Sequence, residues 1–557
     1  ASTVKRFDSN LLNEARLQKL FLSSKILFPE EFLKMLDGND EGTSKVIHVN
    51  SEFECEDGSN ILQYYNEKTI FLTGATGFLG KLILEKILRT CKGVKRIYIL
   101  ARPKKGVNIN DRIDQLFAGP AMDKMKEVNP SFQDQVSLVP GDLLLPYLGM
   151  SKESIQSFKD EVNIVIHCGA TVRFDQKLRE AAYINVRSVR NLLDISKETN
   201  GLESFLYIST AYSHCPRLEI GEEFYNPPIK PDDLLKLVEM LDEKRLIKMT
   251  PIILGEWPNT YSFTKAVAEN LIKQESENLP LAIVRPSIVI GAVKEPIPGW
   301  IDSIYGPTGL MIFGFLGILR TAHGNPNTKC DLVPVDFVVN CIIAAAYQRA
   351  KLNRMPAISS NHRDEITPIF NYCYSPNLPT IKWGYYLTRV RASAFSVGST
   401  RCVWYPSVKL RRCIYLFKIE KFFNMIPAYV ADLVFKIMGR EQIAVKLMER
   451  LFNTISVLNY FLRRNWTFTT DNTQKLFKSL SSTDKKLFDF DMEAIDFESY
   501  NKNYVYAMRI YVVKDPLETL EAGRRLVFKL QIIYYISWIA LFAILYIVYH
   551  FLSSIFM

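Results

Sequence analysis

The 557-residue sequence predicts an α/β protein: a doubly wound parallel sheet, followed by a C-terminal helical domain and a C-terminal transmembrane helix. Three observations predict it. Between residues 66 and 345, short apolar runs alternate with stretches of helical periodicity, the pattern of a parallel sheet covered by helices on both faces. Residues 71–80 read FLTGATGFLG, a glycine-rich turn between one such run and one such stretch. From Leu530 to Met557 there is no Asp, Glu, Lys or Arg. The length exceeds what one compact core holds and predicts two or more units.

Residues 1–65 are polar and mixed in charge, with turn-like stretches at 37–43 and 54–60. Leu11, Leu12, Leu17, Leu20 and Phe21 suggest one amphipathic helix. The region reads as a partly disordered N-terminal extension, and Glu14, Glu30 and Glu31 argue against a mitochondrial presequence. Thr69 to Leu72 is the first strand. Leu82, Ile83, Ile87 and Leu88 recur at helical spacing just after the turn. The loop between them, Thr73-Gly74-Ala75-Thr76-Gly77-Phe78-Leu79-Gly80, therefore joins a strand to a helix, the context in which such glycines signal dinucleotide binding. Gly74 permits the tight turn, Gly77 lets backbone approach a pyrophosphate, and Gly80 lets helix and strand pack closely. The N–H groups that open the helix face the phosphates. Further strands are expected at 97–100, 136–139, 164–167, 205–209 and 282–286. Residues 346–439 read as a substrate or connecting region with an amphipathic run at 430–437, and residues 440–515 as a helical domain. Residues 528–552 form the transmembrane helix, since about 20 apolar residues span the hydrocarbon core. Arg524, Arg525 and Lys529 precede the charge-free stretch from Leu530 and no charge follows, which leaves the body in the cytosol. A hairpin that enters and returns is the alternative topology.

The chemistry sits on Tyr261-Ser262-Phe263-Thr264-Lys265. Residues four apart share a helix face. A cation beside a phenol lowers its pKa, and the phenol can then protonate a carbonyl oxygen as hydride reaches carbon. Arg102 follows the second strand, with Lys104 and Lys105 close by and no carboxylate. An arginine there grips a 2′-phosphate, so NADPH is favoured over NADH. Gly141-Asp142 follows the third strand, where Asp142 would meet the adenine amino group or cap a turn. His167-Cys168-Gly169-Ala170-Thr171 ends the fourth strand with small residues, Ala170 among them, beside the nicotinamide. Cys168 lacks an activating base and is not read as a nucleophile. Ser209 and Thr210 end the fifth strand, and strand register selects Thr210 as the hydroxyl that positions a substrate carbonyl. Arg285-Pro286-Ser287 ends the sixth, and its Pro286 and Ser287 resemble the segment that lies beside the nicotinamide carboxamide in dinucleotide-binding reductases. Residues 294–309 read as a substrate loop or as structure.

Nine cysteines without a C-x-x-C pair and only six histidines predict no metal site. The absence of a secretory leader in this sequence predicts reduced thiols. A net charge of +10 suits an anionic membrane surface or substrate. No nucleic-acid partner is expected, and the oligomeric state stays open.

These segments, with 166–186, 207–215, 259–269, 283–310 and 331–340, resemble the alcohol-forming fatty acyl-CoA reductases of animals, within the extended short-chain dehydrogenase/reductase family. The resemblance runs from about Asn66 to the C-terminus. It departs at Gly169, where the family usually has Ala, and is loose near 371–375. It implies a Rossmann reductase domain over 66–345 that uses two NADPH in sequence on a long-chain fatty acyl-CoA. The first hydride would give a hemithioacetal that expels CoA, and the second would convert a retained aldehyde to the primary alcohol. The resemblance matches Asn185 to a helix asparagine of a proton relay, or of helix stability alone. It implies attachment to the endoplasmic reticulum or peroxisome. Two alternatives share the loop and the Tyr/Lys pair: a membrane-bound dehydrogenase of a sterol or other carbonyl, and a reductase that stops at the aldehyde.

Overall fold

The computed structural model describes residues 58–102, 108–354 and 367–556. The expected amphipathic helix near the N-terminus and Lys104 and Lys105 lie outside them. Helix α1 (Asn60–Tyr65) already belongs to the body: Ile61 and Tyr65 are buried, and Asp484 accepts from the backbone N–H of Ile61 at 3.2 Å.

Seven parallel strands follow: β1 (Thr69–Thr73), β2 (Arg96–Ala101), β3 (Val136–Pro140), β4 (Ile164–His167), β5 (Ser204–Ile208), β6 (Leu281–Pro286) and β7 (Ile369–Tyr372), in the order β7-β6-β5-β4-β1-β2-β3. The order reverses between β1 and β4, which leaves a crevice at the carboxyl edge. Alternation along each strand divides the core. Ile70, Leu72, Ile97, Ile99, Ile164 and Ile166 face one side, where α2 (Phe78–Thr90) and α5 (Val335–Asn353) lie. Phe71, Tyr98, Val165, Phe205 and Tyr207 face the other, under α3 (Ser188–Lys197) and α4 (Thr260–Gln274). The sequence had placed the domain boundary at 345, but α5 runs to Asn353 and β7 completes the sheet beside β6, so the reductase core reaches Tyr372.

A second core collects helices from the rest of the chain: α6 (Trp383–Val397), α7 (Ile414–Ile437), α8 (Ala444–Ser456) and α9 (Phe497–Ala507). The first half of the expected substrate loop is built into the body. Asp336 accepts from the backbone N–H groups of Val293, Lys294 and Glu295 at 2.8–3.0 Å. Lys86 and Arg89 of α2 bind Glu295. The last helix, α10 (Leu520–Phe556), is uninterrupted. It is the one described helix long and apolar enough to cross a membrane.

Candidate active site

The glycine loop leaves β1 and turns into α2 at the carboxyl edge. Gly74 sits at φ +77°, and a Cβ there would lie 2.8 Å from Gly169 at the end of β4. A Cβ on Gly80 would lie 2.2 Å from the Gly74 carbonyl oxygen, and one on Gly77 3.2 Å from it. The loop is thus compressed against the first turn of α2, whose N-cap Gly77 brings no side chain to the free N–H groups. They point into the crevice as an anion cradle. Gly169, the departure from the family pattern, is itself tight: its Cβ would meet Leu143 at 2.7 Å and the Thr73 hydroxyl at 3.0 Å. Thr73 is fully buried, its hydroxyl accepting from Gly169 N–H at 3.0 Å and bonding His167 Nδ1 at 2.8 Å. Its side chain therefore holds the loop to β4. Burial holds His167 well below the usual imidazole range, at about 3, with Lys265 adding repulsion.

Arg102 extends from the end of β2, half exposed, with its guanidinium 3.4 Å from Asp142. The sequence missed its companion. Arg112 donates to the Thr76 hydroxyl at 2.7 Å and to the Arg102 carbonyl at 2.9 Å. Burial, then repulsion from Arg102, lowers its pKa. Two guanidiniums and the glycine loop thus converge at one corner. Asp142 accepts from Leu144 N–H at 3.0 Å, which fixes the turn after β3. Phe78 stacks on Trp300, ring centroids 5.7 Å apart, and walls the loop. Ala170 is partly exposed just beyond Gly169.

At the centre of the edge, α4 starts from Asn259, whose side chain caps Ser262 N–H at 2.8 Å. Tyr261 stacks on Phe174 at 5.9 Å. Phe174 in turn meets Phe461 of the helical region, so aromatic groups from two parts of the chain line this side. Loss of water pushes the Tyr261 phenol above its usual range, and the Thr210 hydroxyl beside it pulls back only part of the way. The sequence anticipated a lowered phenol. The direction is reversed here because burial dominates; the Lys265 ammonium donates to the Ile208 carbonyl at 2.6 Å and lies 4.6 Å over the Tyr207 ring. Lys265 itself is pulled down to about 8 by burial, with Cys168 and Glu269 opposing.

Thr210 sits at this centre, its hydroxyl accepting from Tyr212 N–H at 3.2 Å and facing the Pro286 carbonyl at 3.5 Å. Pro286 also accepts from Ala211 N–H at 2.9 Å, which fixes the ends of β5 and β6 together. Ser209 does not join them. Its hydroxyl donates to Glu269 at 2.5 Å in the buried layer below, a correction to its candidacy as a catalytic group. Asn185, buried in a wide helical turn at 183–187, accepts from Thr171 N–H at 2.9 Å and donates to the Thr264 hydroxyl at 2.9 Å. It ties the strap after β4 to α4 one turn from Tyr261.

Glu269 was not singled out in the sequence, although Tyr261, Lys265 and Glu269 share one helix face at spacing four. It accepts from Arg285 at 2.7 and 3.0 Å, from Ser213 at 3.0 Å and from Ser209, with His214 at 3.2 Å. Burial raises its pKa, but Arg285 and His214 overcome that and hold it far below the carboxylate range. No group of three or more His, Cys, Asp or Glu side chains able to hold a metal occurs among the described residues.

Comparison with known proteins fits this arrangement. Residues 72–342 match an NAD-binding family described as male sterility protein, and residues 423–515 match the Sterile family of the same description. The chain is 36% identical over 493 residues to "Fatty acyl-CoA reductase wat" of Drosophila melanogaster, covering 88% of this chain and 93% of that one. It is 35% identical to "Fatty acyl-CoA reductase 2" of Homo sapiens, covering 87% and 92%. Among solved structures, the terminal reductase domain of a myxalamid PKS-NRPS pathway superposes with TM-score 0.52 at 20% identity, over 81% of this chain and 93% of that one. The reductase domain of a nonribosomal peptide synthetase from Mycobacterium tuberculosis does so with 0.53 at 17%, over 82% and 97%. These two share the fold. With the curated relatives matched over nearly their whole length, the chain belongs to the fatty acyl-CoA reductases, oxidoreductases with an NAD-binding domain.

Proposed function

We propose that the protein reduces a long-chain fatty acyl-CoA to the primary alcohol with NADPH, releasing CoA. The carrying observation is the convergence of Tyr261, Thr210 and Lys265 at the carboxyl edge, beside a glycine loop whose corner holds Arg102 and Arg112. The cradle fits the cofactor: each loop glycine occupies space a Cβ would fill, the α2 N–H groups suit a pyrophosphate, and two guanidiniums suit a 2′-phosphate. Asp142 stands at the adenine end, Ala170 and Pro286 at the nicotinamide end.

NADPH, when bound, supplies hydride. Thr210 hydrogen-bonds the carbonyl oxygen and stabilises its developing charge. Tyr261 donates the proton to that oxygen; a phenol held protonated by its surroundings is suited to the acid role. Lys265 stabilises the phenolate left behind and, with the ribose of the cofactor to bind, exchanges its contact with Ile208. The hemithioacetal then expels CoA thiol, and the same three side chains serve the aldehyde in a second round. Phe174 and Phe461 give the acyl chain an apolar wall. Asn185 positions the strap and α4 without touching the reacting atoms.

We read α10 as the membrane anchor, with Arg524, Arg525 and Lys529 on the cytosolic side and the endoplasmic reticulum or peroxisome as the site. The test is incubation of the full-length protein with NADPH and a panel of acyl-CoAs of different chain length. Alcohol and thiol in equal amounts, with two NADPH oxidised per thiol, is the expected result. Accumulation of free aldehyde at one NADPH per thiol would establish the shorter reaction instead. Thiol release with no preference for NADPH over NADH would overturn the role of the two arginines.

A further inference from the structure

A helix on a protein surface normally turns an apolar stripe inward and charge outward. Helix α7 does not. Its inward stripe, Asn424, Ala428, Ala431 and Phe435, is buried. At 100° per residue the opposite face carries Tyr415, Ile419, Phe422, Ile426, Leu433 and Ile437, all apolar and open, from 38% exposed at Ile426 to 78% at Ile437. Lys418, Lys421 and Lys436 fall together along one flank. The helix is about 36 Å long at 1.5 Å per residue, yet it carries too much charge to cross a bilayer. Large open residues on one side with lysines beside them are the pattern of a helix lying in a membrane surface, its basic stems reaching up to the headgroups.

The helix cannot turn to hide this face. Asn424 accepts from Arg320 N–H and Nε–H, both at 3.0 Å, and donates to the Ile318 carbonyl at 3.0 Å. Glu420 binds Arg411 at 2.8–2.9 Å and the Thr321 hydroxyl at 2.7 Å. The same mount reaches the root of α10. Arg320 lies 5.6 Å over the Trp404 ring, and the next residue, Tyr405, stacks on Tyr534 of α10 at 4.7 Å. Along 409–440, seven Lys and Arg side chains stand against two carboxylates. Both carboxylates are engaged: Glu420 as above, and Asp432 with the backbone N–H groups that open α8.

We propose that α7 is a second membrane contact, lying in the headgroup layer of the bilayer that α10 crosses, with its outer face among acyl chains and its lysine flank against anionic lipid. The inference rests on the reading of α10 as a spanning anchor. The partner is a lipid surface: the mount of α7 is continuous with the anchor root through Arg320, Trp404 and Tyr405, and the positive charge complements an anionic leaflet.

The test is photocrosslinking on the full-length protein. p-Benzoylphenylalanine replaces Phe422, Leu433, the anchor residue Phe542 or the exposed Met240 of the reductase domain, in vesicles of phosphatidylcholine with about one fifth phosphatidylserine. The proposal expects lipid adducts at Phe422 and Leu433 comparable to Phe542 and about tenfold above Met240. Adducts at Met240 level from both α7 sites, with Phe542 still high, would overturn it and leave the anchor intact. Adducts to a second copy of the chain in place of lipid would overturn it too. High yields on α7 with Phe542 at background would overturn the anchor and uphold the lipid contact, and background at all sites would end both. Added to the Phe422 and Leu433 photocrosslinker variants, Lys418→Glu with Lys421→Glu should lower the α7 yield on the mixed vesicles but not on phosphatidylcholine alone; an equal effect on both would refute the anionic contribution.

Discussion

At the residue scale, the site turns on how burial treats a phenol and an amine four residues apart. Tyr261→Phe should lower turnover by about 10²–10⁴, the usual worth of a positioned acid, while NADPH binding by fluorescence titration stays within a few-fold. Turnover near wild type would remove Tyr261 from the proton path. Lys265, drawn from 10.5 to about 8 by burial, carries its charge below that pH and loses it above. The unfolded chain keeps that proton up to the higher value, so this group makes stability rise with pH between the two. Activity runs the other way, because the charged form is the one that steadies the phenolate. The pH profile of kcat/KM for the cofactor should therefore fall through a limb near pH 8, and a flat profile from neutrality to pH 9 would contradict the assignment. Lys265→Met should weaken both cofactor binding and turnover. Much of this was legible in the sequence, since spacing four on a helix needs no tertiary knowledge. Arg112 was not. It reaches Thr76 from ten residues beyond Arg102, across a fold that spacing does not reveal. The direction of the Tyr261 shift was also hidden, because it is set chiefly by burial of the phenol, which spacing along a helix does not reveal.

At the element scale, one buried carboxylate, Glu269, fastens α4 to β6 and to the turn after β5. Arg285 and Glu269 are 0% and 2% exposed at their side chains. Arg285→Met should leave that carboxylate without its main partner and cost about 3–5 kcal/mol in stability, read as a shift in denaturation midpoint. A loss under about 1 kcal/mol would show that His214 and the serines suffice. The double change with Glu269→Gln should recover part of the loss. Six of the seven sheet strands could be read from apolar runs between turn signals. β7 was overlooked because it is four residues long and carries Asn371 in its middle. That asparagine is fully buried: its backbone N–H is taken by Glu222 at 2.8 Å and its amide by the Thr469 carbonyl at 2.9 Å. A strand whose polar residue is satisfied by a loop from elsewhere gives no periodic trace of itself.

At the scale of the whole molecule, the proposed anchor is the terminal helix, the one described helix long and apolar enough to cross a membrane. Ile539→Arg with Ile544→Arg should cost about 2.5–3.5 kcal/mol per charge at a helix centre in lipid. It should release the protein from membranes at alkaline pH while reduction of a soluble short-chain acyl-CoA continues. Retention in the pellet would point to attachment elsewhere. The apolar tail was plain in the sequence, whereas its joint to the body was not. The backbones cross so closely there that a Cβ on Gly398 would sit 2.5 Å from the Arg524 backbone nitrogen and 2.7 Å from the Gly523 carbonyl carbon, and a Cβ on Gly523 2.8 Å from the Ser399 backbone. Arg524 donates to the Ser396 carbonyl at 2.6 Å.

That joint makes the anchor a bracket instead of a leash. A flexible tether would let the catalytic body sweep a dome of solvent and meet substrate there. A bracket leaves it two motions, drifting sideways and spinning about the bilayer normal, with its standoff fixed. Encounter then becomes collision on a surface, governed by acyl-CoA molecules per unit area. At constant bulk concentrations of enzyme and substrate, diluting a membrane-partitioned acyl-CoA with inert lipid should slow turnover, although nothing in the water has changed.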